Sequence, residues 1–281
     1  MELNNGIIKV TIAGHGAELR SVIKNEKEYM WCADPKYWGR TSPVLFPFVG
    51  GLRNNKYRLN GSEYEGEKHG FARNSEFKLV QKTESVATFE LKESEETLKN
   101  YPYKFTLTIK YVLDSTKVRV IWTVKNENDC QMSFSIGGHP AFNLCEGDNY
   151  FMFNNKSDMK YYLLNPDGLC DKNNEYTLKN DGYVKLFEGM FDNDAYIIEN
   201  QQAKEVSLCD GDKKPYVTVR FDAPLFGLWH PAGKNIPFVC IEPWYGRCDA
   251  SDFDGDLFER DYAQKLAANE SFTAEYEMEF I

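Results

Sequence analysis

The most regular feature of this chain is an alternation of apolar and polar positions with a period of two. Phe105, Leu107, Ile109, Tyr111 and Leu113 alternate with Thr106, Thr108, Lys110 and Val112. Past Asp114-Ser115, Val118, Val120, Trp122 and Val124 alternate with Arg119, Ile121, Thr123 and Lys125. Period two belongs to a pleated strand with one buried face, and two such runs joined by a tight turn form a β-hairpin. The last residues repeat the pattern, with Phe272, Ala274, Tyr276, Met278 and Phe280 on one face and Thr273, Glu275, Glu277 and Glu279 on the other. Further strands are expected at Ile7 to Ile12, Ala17 to Ile23, Lys56 to Leu59, Ser62 to Tyr64 after an Asn60-Gly61 turn, Glu76 to Lys82, Val86 to Lys92, Tyr216 to Phe221 and Phe238 to Glu242. Helical turns are expected only at Asp34 to Trp38 and at Glu95 to Asn100, the latter stopped by Pro102. Neither is long enough for a βαβ crossover.

No linker, repeat or low-complexity segment divides the chain, and strand signals recur throughout. The expectation is one all-β domain over residues 1–281, a mainly antiparallel sandwich with more strands than an immunoglobulin-like fold needs. Aromatics make up 15% of the 281 residues, which suits pleated, half-buried surfaces and also flat binding walls. The formal net charge of −10, without a Lys/Arg-rich run, argues against a nucleic-acid partner. No stretch approaches the ~18 consecutive apolar residues of a membrane span, and the N-terminus lacks the pattern of a secretory signal. A soluble, cytoplasmic protein with no membrane partner is expected. Seven scattered cysteines, without a Cys-x-x-Cys pair, read as reduced thiols.

Four histidines carry the proton chemistry available near neutral pH. His15, in Gly14-His15-Gly16, reads as a loop residue, and His230 follows an apolar strand at Trp229. His69 and His139 stand out because each lies among glycines and aromatics, where backbone and ligand approach closely. Either one also fits a satisfied core histidine. Glu242 follows the apolar run Phe238-Val239-Cys240-Ile241, so it is expected at the end of a buried strand, where desolvation raises a carboxyl toward a working base. A structural partner of an arginine is the alternative. Asp194 is a second carboxylate candidate, with Asp192 able to take the same place. Asp252, Asp254 and Asp256 imitate an EF-hand, but Leu257 stands where Gly is needed and Ala263 where Glu is needed. No local spacing suggests a metal, and neither Gly-x-Gly-x-x-Gly nor a Walker sequence is present to hold a nucleotide.

His69-Gly70-Phe71-Ala72-Arg73, Gly138-His139-Pro140-Ala141-Phe142-Asn143 and Cys240-Ile241-Glu242-Pro243-Trp244-Tyr245-Gly246 occur in that order. Together with Ser42-Pro43-Val44-Leu45-Phe46-Pro47 and the terminal strand, they resemble the aldose 1-epimerase (galactose mutarotase) superfamily, most closely its LacX-like branch. The resemblance covers essentially the whole chain and implies a galactose-mutarotase-like β-supersandwich. It further implies Glu242 as general base, His139 as general acid, His69 as a second histidine near the ring oxygen and Asp194 as a ligand of sugar hydroxyls, with no cofactor. Trp244, Trp229, Phe142 and Phe71 adjoin these motifs and can supply a sugar platform, although core packing is the stronger reading for the two phenylalanines. Arg40, Arg53 and Arg73 are the nearest cations and suit hydroxyls or a phosphate. Many relatives carry Arg where this chain has Gly51, and Arg53 is a candidate replacement.

The leading expectation is an aldose 1-epimerase-like mutarotase acting on a small-molecule hexose. Its variant is a hexose-6-phosphate mutarotase in which some of the arginines hold the phosphate. A catalytically silent carbohydrate-binding protein and a glycoside hydrolase using Glu242 and Asp194 are the other classes weighed.

Overall fold

The computed structural model describes residues 1–281. Its centre is a nine-stranded antiparallel sheet in which the hairpin Phe105–Asp114 and Lys117–Asn126 is flanked by Val86–Lys92 on one side and Ser271–Phe280 on the other. These are the strands expected from alternation, and burial alternates along them residue by residue. The sheet extends through Pro215–Phe221 and Glu205–Cys209 to Tyr150–Phe153 and Tyr183–Lys185.

A second, six-stranded sheet pairs Phe238–Tyr245 with Leu225–Trp229 on one side and with Ile136–Gly138 and Ala141–Asn143 on the other. A four-stranded sheet at the N-terminus and three two-stranded ribbons complete the β-structure. One continuous apolar cluster draws Trp122, Tyr276 and Met278 from the nine-stranded sheet and Ile136, Phe226, Val239 and Ile241 from the six-stranded one, so the core lies between two facing sheets. Phe226 meets both Phe153 and Phe221 across that interface.

Helix is confined to one six-residue turn, Glu95–Asn100, and three 3₁₀ turns. Glu95–Asn100 forms where expected: Ser94 and Thr97 close a reciprocal capping box, and Pro102 follows its end. The other expected helical turn, Asp34 to Trp38, is instead a hydrogen-bonded turn in which the Asp34 carbonyl accepts from both the Tyr37 and Trp38 N–H groups. No helix is long and apolar enough to cross a membrane.

Candidate active site

The strand Phe238–Tyr245 sets the geometry of the site. Successive side chains of a strand point to opposite faces. Val239 and Ile241 enter the main core, while Cys240, Glu242 and Trp244 share the other face. Trp244 fits because glycines flank its ring on both adjacent strands: Gly137 directly opposite it, and Gly227, which pairs with Glu242, diagonally across. A Cβ at Gly227 would stand 2.3 Å from the indole, and one at Gly137 would stand 2.6 Å from it. Any other residue at either position would displace the ring.

The Trp244 face forms one wall of a cavity of about 240 Å³, lined also by Trp38, Lys68, His69, Arg73, His139, Asp194, Trp229, Glu242 and Cys248. Drug-sized ligands occupy about 300–1,000 Å³, so the volume suits a smaller molecule. Glu242 is 1% exposed at its floor. Burial, then the nearby Asp194 charge, pushes its carboxyl well above the ordinary range. His139 Nε2 lies 3.2 Å from Glu242 Oε2, and burial depresses this imidazole to about 3. The two shifts act in the same sense: burial favours a neutral carboxylic acid beside a neutral imidazole over an ion pair. Glu242 Oε2 and His139 Nδ1 are buried without a hydrogen-bond partner, which leaves both polar atoms unsatisfied.

His139 is held from several directions. Its N–H donates to the Pro43 carbonyl, and its ring stacks on Trp38 at 4.7 Å and meets the Trp229 ring at 5.3 Å. Buried Glu18 accepts from the Thr41 and Ser42 N–H groups, fixing the segment that carries Pro43. His69 is tied to Gly50 twice: its N–H donates to the Gly50 carbonyl, and its Nδ1 accepts from the Gly50 N–H at 3.1 Å. An accepting Nδ1 leaves the proton of the neutral ring on Nε2, which makes His69 a donor. Burial, then the neighbouring His139, Arg73, Lys68 and Arg40, keeps its basicity well below the ordinary value.

His69 and Asp194 have φ of 67° and 68°, a left-handed conformation that non-glycine residues adopt mainly where surrounding structure imposes it. Asp194 Oδ1 accepts from the Ala195 N–H at 2.7 Å, which orients the carboxylate on the cavity wall. The opposite wall at Cys248 is backed by buried ion pairs, Arg247 with Glu199 and Arg260 with Asp249.

The structure thus brings Glu242, His139, His69, Asp194, Trp244, Trp229 and Arg73 together around one cavity. It separates other candidates from them. Phe142 is fully buried in the main core, because it pairs with Val239 and faces away from Glu242. Arg53 donates to the Phe253 carbonyl and lines a separate surface groove, so it does not take the place of the guanidinium missing at Gly51. Arg40 lies behind the wall, donating to the Arg73 carbonyl and to Asn74 Oδ1. Asp192 is exposed and does not line the cavity, whereas Asp194 does. Phe71 packs on the core. His230 meets the Phe191 ring edge-on, and His15 pairs with Glu76 at the surface.

Several lining residues escape the sequence reading, Trp38 and Lys68 among them. Trp38 stands on the turn mistaken for helix, and its signal was the aromatic Tyr37-Trp38 pair beside the Phe-Pro element. Lys68 directly precedes His69, yet one lysine among many in an acidic chain carries no signal of its own.

A family model described as aldose 1-epimerase matches residues 1–244. Protein LacX of Lactococcus lactis subsp. lactis, in plasmid and chromosomal forms, is 33% identical over 275 residues, covering 92% of this chain and 91% of the relative. Among solved structures, a galactose mutarotase related enzyme from Lactobacillus acidophilus is 37% identical, with a TM-score of 0.94 over 100% of this chain and 97% of that one. A galactose mutarotase-like protein from Lactobacillus casei ATCC 334 is 27% identical, with a TM-score of 0.93 over 100% and 99%. Galactose 1-epimerase from Lactobacillus acidophilus NCFM, at 15% identity and a TM-score of 0.72 over 99% and 92%, shares the fold. With the family pattern running from the N-terminus through Trp244 and the galactose mutarotase-like architecture complete, the chain belongs to the aldose 1-epimerase family.

Proposed function

We propose that this protein is a mutarotase that interconverts the α and β anomers of a hexose by opening and reclosing its ring. The observation that carries the reading is the 3.2 Å contact between His139 Nε2 and Glu242 Oε2 on the floor of a small, aromatic-walled cavity. Ring opening removes a proton from the anomeric hydroxyl and delivers one to the ring oxygen. A carboxyl and an imidazole that hold one proton between them supply both functions. As sugar hydroxyls enter and satisfy Glu242 and His139, that proton passes to His139, leaving a carboxylate to take the hydroxyl proton and an imidazolium to protonate the ring oxygen. The open aldehyde turns about its C1–C2 bond and the roles reverse on closure. Each group contributes about 10²–10⁴-fold, and no electron or group leaves the sugar.

In this reading residues 1–281 form one domain, His69 donates its Nε2–H near the ring oxygen and Asp194 accepts from a sugar hydroxyl. The face of Trp229 or Trp244 packs on the C–H face of the ring. A silent binding protein has no use for a buried acid–base pair, and a hydrolase pairs Glu242 with a second carboxylate across the substrate, whereas here the group in contact with Glu242 is an imidazole. Polarimetry or NMR saturation exchange with glucose, galactose and their 6-phosphates tests the proposal. Acceleration of anomer exchange for at least one of them is expected; exchange at the buffer rate for all four contradicts it.

Lys68 and Arg73 on the cavity wall favour a phosphorylated hexose as a second reading. Arg73 is oriented by its bond to the Lys68 carbonyl, and its Nε is buried without a partner. Charge reversal at Lys68 and Arg73 then raises KM for the phosphorylated sugar much more than for the free one; equal losses point to the unphosphorylated hexose.

A further inference from the structure

Directly beneath Glu242 on the same strand face lies Cys240. No local spacing in the sequence suggests a metal, but the fold assembles one candidate cluster. The potential ligand atoms of His139, Cys240 and Glu242 all lie within 4.8 Å of one another, and all three residues are buried. Independently, Glu242 Oε2, one of the atoms that would bind, has no hydrogen-bond partner. We propose that His139, Cys240 and Glu242 form a binding site for a thiophilic divalent cation such as Zn²⁺, and that its occupation blocks the sugar cavity.

The ligand chemistry is specific. Imidazole nitrogen, thiolate sulfur and carboxylate oxygen together suit borderline and soft cations, whereas Mg²⁺ and Ca²⁺ require six or more oxygens. Zinc–nitrogen and zinc–oxygen bonds of about 2.0–2.2 Å in a tetrahedron place two such ligands roughly 3.3 Å apart. The His139 Nε2 to Glu242 Oε2 separation is 3.2 Å. Cys240 is the ligand that must close in, and its neighbours Trp31, Ala141 and Phe238 present only apolar packing surface. A thiolate and a carboxylate balance the two positive charges, so the complex is neutral in a buried setting. Binding expels the thiol proton and the proton shared by Glu242 and His139 to water, with no change of oxidation state. His139 and Glu242 line the cavity and Cys240 does not, so the fourth position opens into the cavity, where water or a sugar hydroxyl completes the tetrahedron. The cation and the reacting sugar need the same atoms of Glu242 and His139, and they exclude each other.

The test is a direct titration of the full chain with Co²⁺, followed by its near-ultraviolet thiolate charge-transfer band and by displacement with Zn²⁺. Cys32 and Cys130, the two exposed thiols, are first changed to Ser. One cation per chain is expected, with Zn²⁺ competitive against sugar in the exchange assay. Cys240→Ser should abolish the cobalt–thiolate band and weaken Zn²⁺ at least tenfold while sugar turnover persists. Glu242→Gln, with an unchanged circular dichroism spectrum, should also weaken the cation. Absence of binding, or a band that survives Cys240→Ser, overturns the site. A band lost instead on changing Cys170, which lies beside Cys248 in a separate apolar cluster, overturns it equally. The titration reads the cation without reference to sugar chemistry, so the site stands or falls independently of the mutarotase reading, on which only the competition with sugar rests.

Discussion

Ser271–Phe280, the middle strand of the nine-stranded sheet, buries Ala274, Tyr276, Met278 and Phe280 and turns its glutamates outward. There Glu275 meets Arg119, Glu277 meets Lys117 and Glu279 meets Arg220, all as partly exposed ion pairs. Phe238–Tyr245 buries seven of its eight residues, and one of the seven is Glu242, in contact with a neutralised imidazole instead of a cation. The first strand assigns apolar groups to the core and charges to water, as stability favours. The second carries a carboxyl where its charged form is disfavoured, and in the proposed mechanism that cost makes it a proton carrier. A sheet built for stability and a sheet built to hold a strained protonation state can share one core.

Mutations on the two strands should therefore fail in different ways. The largest expected effect is on chemistry: Glu242→Gln lowers the anomer-exchange rate by about 10²–10⁴, with near-UV circular dichroism unchanged. Its counterpart in the nine-stranded sheet is Trp122→Ala, which removes a 1%-exposed indole packed on Tyr276. This change should cost about 3–5 kcal/mol in urea unfolding while the folded fraction keeps its turnover per site. Similar turnover losses for both variants at full folding would erase the distinction.

The pH dependence of stability sharpens the comparison. The carboxyl of Glu242 is raised above its ordinary 4.5 in the folded state. Its contribution is therefore fully present below pH 4.5 and is lost as pH rises toward the folded-state value. His139 is depressed from 6.5 to about 3, so the unfolded chain binds more protons between those limits, and its contribution grows with pH across that window. Glu242→Gln removes the first slope. Relative to wild type the variant should gain stability as pH rises from 5 to 8, losing activity and gaining stability together. A wild-type advantage that grows over this range would mean that Glu242 is ionised and well paired in the folded protein. The smallest effect belongs to the outer face of the nine-stranded sheet. Arg119→Ala, breaking an exposed pair with Glu275, should change stability by less than about 1 kcal/mol and leave anomer exchange unaltered.

The same contrast explains which features could be read from sequence. The hairpin Phe105–Asp114 and Lys117–Asn126 was legible because one face is wet and the other dry, so period two is written into the residues. Met132–Phe134, Ile136–Gly138 and Tyr196–Ile198 are three residues long and wholly buried, which leaves no alternation to detect. For the candidate site, Glu242 stood out as a carboxyl within an apolar strand, and His139 and His69 as histidines among glycines and aromatics, although His69 lies on a turn. Arg40, Arg53 and Phe142 were selected because they adjoin the motifs in sequence. The fold then turned Phe142 to the core side of its strand and carried the two arginines to other hydrogen-bond partners, information that resides in register and loop geometry. Trp38 and Lys68 stand on turns, where neither period two nor period 3.6 marks which way a side chain faces.

The claim that joins these observations is that one proton, held between Glu242 and His139, drives ring opening. NMR saturation exchange between the α and β anomers, measured on the sugar that wild type turns over best, tests it in a single comparison with Glu242→Gln at equal folded concentration. A loss of about 10²–10⁴-fold in the variant is the predicted result; exchange as fast as wild type would contradict it.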